Sequence, residues 1–379
     1  SDSNLIYEMG AEIARQCRLI GVNINFAPVV DVNSNPNNPI INNRSFGEDY
    51  KKVSSLSLAY MQGLQDNNVL ACAKHFPGHG DTDKDSHKTL PVINHSKYRL
   101  KKIELQPFDY LIKNGLGSIM TAHLFIPSLD NNENTPISLS ENVVNGLLTD
   151  EMGFNGLKFT DGLNMKAVSD LYEPGELDVK ALIAGNDIML CAEDVPKAIK
   201  LIKKAISSGD ISEQNIHQKC KKILMAKSWM NLDDFQTIDI SSIDDSLTTE
   251  KTQKINYGLI KSSITLLQNY DDIIPLKRLD TLKIASLSIG KNFNSFQESL
   301  NLYAKVDTFS INEGADIKSQ ALVLDQLSKY NLVIVSIHKS NANAWKDFKI
   351  SKNTDIFLQT IALQSKVVLS VFANPYSIN

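Results

Sequence analysis

Apolar positions along the first 230 residues alternate between two rhythms. At residues 5–19 they recur at helical spacing; the next run, NINFAPVVDV (23–32), is almost continuously apolar, as a buried strand is, and ends in the polar loop NSNPNNPIINNRSFGED. Helical spacing returns over 50–66 and is followed by the strand VLACAKHF (69–76) and a loop dense in Gly, His and Asp. The pattern then predicts a helix over 97–113, the strand GSIMTAHLF (117–125), a helical stretch over 142–151 and the strand GLKFT (156–160). A helix within 179–184, the strand NDIMLC (186–191) and helices over 195–207 and 211–230 complete this part. Strand–helix alternation of this kind implies a parallel sheet with crossover helices. Asp31, His75, His123 and Asp161 all follow strands, the position where (β/α) barrels carry their chemistry. Five strands can be counted rather than eight, which leaves either an open sheet or a barrel short of its first strands.

The polar, acidic, Ser-rich stretch beginning at residue 231 reads as a linker over 231–250. A second alternating unit follows over 251–379, with expected strands SITLLQN, KIASLSI, KVDTFSI, NLVIVSI and KVVLSVF and helices near 293–303, 317–330 and 354–364. It has the rhythm of a small doubly wound α/β domain, and the chain stops just after its last strand.

Charge and composition narrow the picture without deciding it. The 379 residues carry 39 Lys+Arg against 43 Asp+Glu and are 42% hydrophobic. That balance has no basic footprint for nucleic acid, and no apolar run is long enough for a membrane span. Cys17, Cys72, Cys191 and Cys220 form no CxxC pair and are expected to be buried free thiols. None of these features specifies an oligomeric state.

The chemistry concentrates in KHFPGHGDTDKDSH (74–87), which holds three of the chain's seven histidines. Pro77, Gly78 and Gly80 forbid a helix there and shape a loop. A solvated polar loop is the plain alternative. A metal site formed by His75, His79 and the aspartates is a second reading, but the i,i+4 spacing of the two histidines converges only on a helix. Acid/base chemistry is the third: in an extended Asp85-Ser86-His87 the outer side chains share one side, where a carboxylate fixes an imidazole's tautomer. In KFTDGLNM (158–165) a strand ends in Asp161, either a helix cap or, with the His/Asp loop two strands earlier, a carboxylate nucleophile. Asp31, Arg44, Lys74 and His75 suit a sugar's hydroxyl and N-acetyl groups, although Arg44 could equally pair with Glu48 or Asp49. His123 either lines the same mouth or is a satisfied buried histidine. His95, His217 and His338 are expected to be structural or exposed.

These segments resemble a family. KHFPGHGDTDKDSH, FTDGLNMKA, NFAPVVDVNSNPNNPIINNRSFGED and AGNDIML are similar, in order and across nearly all of 1–230, to the bacterial β-N-acetylglucosaminidases of glycoside hydrolase family 3, the NagZ type. The resemblance implies a (β/α)8 TIM-type barrel, here lacking about its first three strands, followed by a partial αβα sandwich domain. It implies Asp161 as nucleophile, His87 supported by Asp85 as acid/base, and substrate contacts from Arg44, Lys74 and His75, with no metal or other cofactor. The expected activity is retaining hydrolysis of terminal β-linked N-acetylglucosamine, with muropeptides as the natural class and the cell envelope as the expected compartment. Phosphorolysis, a metal-dependent hydrolase and a non-catalytic sugar-binding protein are the rival functions.

Overall fold

The computed structural model describes residues 2–82, 89–132, 134–234, 237–238, 240–290, 295–340 and 348–378. Its chain forms two compact units, Ser1–Ile264 and Thr265–Asn379.

In the first unit five parallel strands lie side by side in sequence order: β1 (Ile24–Asn25), β2 (Leu70–Phe76), β3 (Ser118–Thr121), β4 (Leu157–Gly162) and β5 (Ile188–Leu190). An order with no reversal is that of a (β/α) barrel, because every crossover winds the same way round. The strand expected over 23–32 is short. Its ladder resumes only as a bridge from Val29 to Lys74, since Pro28 has no N–H to donate.

Ten α-helices accompany the strands among the described residues: α1 (Ser3–Leu19), α2 (Tyr50–Gln65), α3 (Lys97–Lys102), α4 (Gln106–Lys113), α5 (Lys166–Ser169), α6 (Glu176–Ala184), α7 (Val195–Ser208), α8 (Glu213–Trp229), α9 (Ile243–Leu247) and α10 (Glu250–Ser263). The single helix expected over 97–113 is two, with the break just before Pro107 near the start of α4. The stretch Asn142–Glu151 is helical, as expected, but wound wider than an α-helix. Alternation along the strands sorts the core. Ala71, Ala73, Phe76 and Ile119 meet Val53, Leu64, Phe108 and Leu111 of the helices. Leu70, Cys72, Met120, Leu157 and Phe159 form the other face with Met230, which follows α8. The α1–α2 crossing is very close. A Cβ on Gly10 would stand 2.5 Å from the Tyr60 carbonyl oxygen, and one on Gly63 would stand 2.3 Å from that of Tyr7.

The segment expected to be a linker lies against the first unit. Arg15 of α1 donates to the carbonyls of Ser246 (2.8 Å) and Leu247 (3.1 Å), and Thr252 of α10 donates to Glu12 at 2.7 Å. The division therefore falls after α10 rather than before residue 251.

The second unit holds β6 (Ile284–Ile289), β7 (Val306–Ile311), β8 (Leu332–His338) and β9 (Lys366–Phe372), all parallel in the order β7-β6-β8-β9, with α11 (Ser295–Leu300), α12 (Ile317–Leu327) and α13 (Lys352–Gln364). This order reverses at β6, the doubly wound pattern read from the sequence. SITLLQN, expected as a strand, joins neither sheet among the described residues; Ile264, Leu266 and Leu267 are 77%, 60% and 66% exposed.

All four cysteines are free; Cys72 is buried and Cys17 half-buried, but Cys191 and Cys220 are exposed, against the expectation of burial. Among the described residues no helix is long and apolar enough to cross a membrane.

Candidate active site

The carboxyl ends of β2, β3 and β4 are neighbours in the sheet, so Lys74, His75, His123 and Asp161 arrive at one rim. The separations of 48 residues from His75 to His123 and 38 from His123 to Asp161 collapse here because parallel strands all end on the same side.

Asp161 ends β4 half-buried, with Oδ1 accepting the N–H of Gly162 at 2.8 Å. Burial raises its pKa, but His75, His123, the Gly162 N–H and Lys74 outweigh burial and hold the carboxyl below its ordinary value. It is therefore a carboxylate at neutral pH. Thr160, the preceding residue, is buried and accepts the Leu190 N–H at 3.0 Å, which ties the end of β4 to β5.

Lys74 is half-buried. Burial, then the Arg44 guanidinium, lowers its pKa; Cys72, Asp161 and Asp31 oppose this. Lys74 thus lies within electrostatic reach of both Arg44 and Asp161. Arg44 sits in the short turn Asn42–Arg44, exposed, and donates to the Ile40 carbonyl at 3.1 Å.

Asp31 is not placed to touch a sugar. It is 0% exposed, and its oxygens accept the backbone N–H of His75 (3.1 and 3.2 Å), His75 Nδ1–H (2.8 Å) and the backbone N–H of His79 (2.7 Å). It holds the β2 loop from beneath. A carboxylate only accepts, so His75 carries a proton on Nδ1 and keeps Nε2 for other partners. His123 is likewise enclosed: 1% exposed, with Nδ1 2.7 Å from Ser138 Oγ and Nε2 3.0 Å from the Gly162 carbonyl. Of its two expected roles, the satisfied buried histidine is the one observed.

Asp85 and His87 lie outside the described residues. The stem before them is well anchored. Asn38 donates to the His79 carbonyl (2.8 Å) and to Thr82 Oγ1 (3.3 Å), and Asp81 pairs with His95 at 2.6 Å. After them, Ile93 donates to Phe125 and Phe125 to Pro91. Sequence reasoning set His95 aside and passed over Ser138, Thr160 and Asn186. Asn186 donates to the Ser138 carbonyl at 2.8 Å and accepts from Thr121 at 2.9 Å. The signal available for it was the polar pair Asn186-Asp187 opening an otherwise apolar strand.

The model for the glycosyl hydrolase family 3 N-terminal domain matches residues 1–226. The chain belongs to glycosyl hydrolase family 3. It is similar to Beta-hexosaminidase A of Pseudoalteromonas piscicida, with 30% identity over 323 residues covering 79% of this chain and 52% of that protein. It is 34% identical over 232 residues to Beta-hexosaminidase LpqI of Mycobacterium tuberculosis, covering 59% of this chain and 58% of that protein. Among solved structures, the glycoside hydrolase family 3 β-N-acetylglucosaminidase of Paenibacillus sp. str. FPU-7 matches with TM-score 0.81 and 31% identity, over 100% of this chain and 73% of that one. This family 3 chain spans about half the length of the curated relatives it matches.

Proposed function

We propose that this chain carries the catalytic rim of a retaining β-N-acetylhexosaminidase that releases terminal β-linked N-acetylglucosamine, with peptidoglycan fragments as the natural substrate class. Asp161 attacks the anomeric carbon as the bond to the leaving oxygen breaks, and His87 delivers a proton to that oxygen. A water molecule then attacks the glycosyl-aspartate, His87 takes its proton, and Asp161 is released as a carboxylate. Asp85 holds the imidazole in the required tautomer. Lys74, His75 and Arg44 engage the sugar hydroxyls and the N-acetyl group.

The observation that carries this reading is Asp161 itself: an ionised carboxylate at the end of a barrel strand, one oxygen held by a backbone N–H, with Lys74 and His75 near enough to lower its pKa. An imidazole as acid/base keeps a second negative charge away from that carboxylate. The names of the relatives, β-hexosaminidases and a β-N-acetylglucosaminidase, support the substrate class.

The test incubates the full-length gene product with a slow-turnover 5-fluoro-2-acetamido-β-glucosyl fluoride and maps labelled peptides by mass spectrometry. The expected result is a sugar adduct on Asp161 that is absent in Asp161→Asn, with turnover unchanged after exhaustive chelation and no sugar 1-phosphate formed in phosphate buffer. Turnover surviving in Asp161→Asn would remove the nucleophile. Loss of activity on chelation would favour a metal-dependent hydrolase built on His75 and His79, and accumulation of the sugar phosphate would make the enzyme a phosphorylase.

A further inference from the structure

The contacts that hold Asp161 continue inward through residues closed to solvent. Gly162, whose N–H binds Asp161 Oδ1, also presents its carbonyl to His123 Nε2 at 3.0 Å. A carbonyl only accepts, so Nε2 bears the proton, and Nδ1 must accept the Ser138 hydroxyl at 2.7 Å. Ser138 is fixed in turn: its carbonyl accepts from Asn186 Nδ2 at 2.8 Å, and Asn186 Oδ1 accepts the Thr121 hydroxyl at 2.9 Å. Both ring nitrogens of His123 are thus committed and the ring is closed to solvent. Burial, opposed by Asp161 and the Gly162 carbonyl, lowers its pKa. The arrangement links the ends of β3, through Thr121 and His123, and of β4, through Gly162, to Asn186 just before β5, in addition to the ladder between these strands.

We propose that Ser138 and His123 are positioning residues for glycosyl transfer to Asp161: the imidazole, locked in one tautomer, holds the Gly162 carbonyl and so, through the Gly162 Cα, the preceding peptide whose N–H sets the rotation of the Asp161 carboxylate. This rests on the reading of Asp161 as nucleophile given above. A core histidine that only filled space could be replaced by any group of similar size. A clamp requires an N–H donor at the Nε2 position.

The test compares His123→Leu, His123→Gln and Ser138→Ala in the full-length gene product. Steady-state kinetics on an aryl 2-acetamido-β-glucoside and the rate of adduct formation on Asp161 are measured. Glutamine keeps an amide N–H near the Nε2 position; leucine removes it. His123→Leu is expected to lower kcat by about 100-fold, as a misplacement of roughly 1 Å does. KM should stay within about threefold, because the loss falls on the chemical step rather than on binding. Adduct formation should slow in proportion to kcat, and His123→Gln should recover most of the loss. Ser138→Ala should fall between the two, since the tautomer is then unguarded. Equal losses in the leucine and glutamine variants, or none in either, would overturn the proposal. If the leucine variant does not fold, a Ser138→Ala enzyme with unchanged kcat does the same. Turnover that survives Asp161→Asn sinks the nucleophile assignment, whereas Asp161-dependent turnover indifferent to His123→Leu sinks only the clamp.

Discussion

Asp31 and His75 form a buried pair, Oδ2 to Nδ1 at 2.8 Å, in which the carboxylate also accepts the backbone N–H of His75 itself. One residue therefore fixes both the ring and the peptide of the other, and its bond to the His79 N–H extends that hold along the loop. Burial raises the Asp31 pKa, yet His75 first and His79 after it bring it below the ordinary value. Removing the carboxylate leaves three buried donors without an acceptor. Asp31→Ala is expected to cost about 3–5 kcal/mol, the scale for breaking a buried pair, read by denaturant unfolding. The sign with pH follows from the depressed pKa: the contribution is complete above about pH 4 and is lost as pH falls through the folded-state value. An alanine variant as stable as the parent at neutral pH would show that the pair contributes nothing.

His79 lies beneath the same loop, 2% exposed, with Nδ1 2.9 Å from Thr82 Oγ1 and Nε2 buried without a partner among the described residues. Burial, then His75, pushes its pKa down to about 4. The folded state binds its proton less readily than the unfolded chain. Stability from this residue is therefore complete above about pH 6.5 and declines between pH 6.5 and 4, by roughly 3 kcal/mol in all. The ring protons of His79 should titrate near pH 4 by NMR; a midpoint near the ordinary histidine value would contradict its burial.

Glu12 of α1 makes a different acid-labile contact. Hydrogen bonding from Arg15 at 2.6 and 2.9 Å, together with Thr252 and Gln16, outweighs its burial and lowers its pKa to about 2. A carboxylate whose folded-state pKa is depressed stabilises above its unfolded value of 4.5 and loses that contribution as pH falls towards 2. The loss of stability between those values should be shallower in Glu12→Gln than in the parent. Parallel curves of unfolding free energy against pH would rule out this role for the carboxylate.

The α1–α2 crossing gives a prediction free of charge effects. Gly63→Ala would place a methyl group 2.3 Å from the Tyr7 carbonyl oxygen and 2.7 Å from the Ala11 nitrogen, both backbone atoms. A side chain could rotate away from the clash, but here two helices must separate. Overpacking of this kind costs roughly 1–3 kcal/mol, which should appear as a lowered Tm by circular dichroism. An unchanged Tm would mean the helices cross at a greater distance than described.

Much of this chain was legible before folding was considered. Helical spacing gave α1, α2, α7, α8, α12 and α13 nearly to their ends, because each needs one apolar face and ends at a local cap. SITLLQN misled, joining neither sheet among the described residues, because an apolar run records only that burial is favourable, not which element it builds. The linker misled in the opposite sense. Its polar composition hid the fact that Arg15 captures its backbone.

At the candidate site, residue type and position near a strand end pointed to Asp161, Lys74 and His75, and the structure brings the three to one rim because parallel strands deliver their ends to the same side. The roles of Asp31 and His123 were not legible. An aspartate after a strand reads the same whether it faces a ligand or the interior. What turned Asp31 inward was the return of the β2 loop over it, with three N–H groups aimed at one carboxylate. What enclosed His123 was the meeting of Ser138 and Gly162, 15 and 39 residues away, on either side of its ring. The sequence by itself determined the elements, their order and the chemical groups available. The tertiary structure alone decided which polar groups were consumed in holding one another, because a buried donor or acceptor must find its partner from wherever the fold brings one.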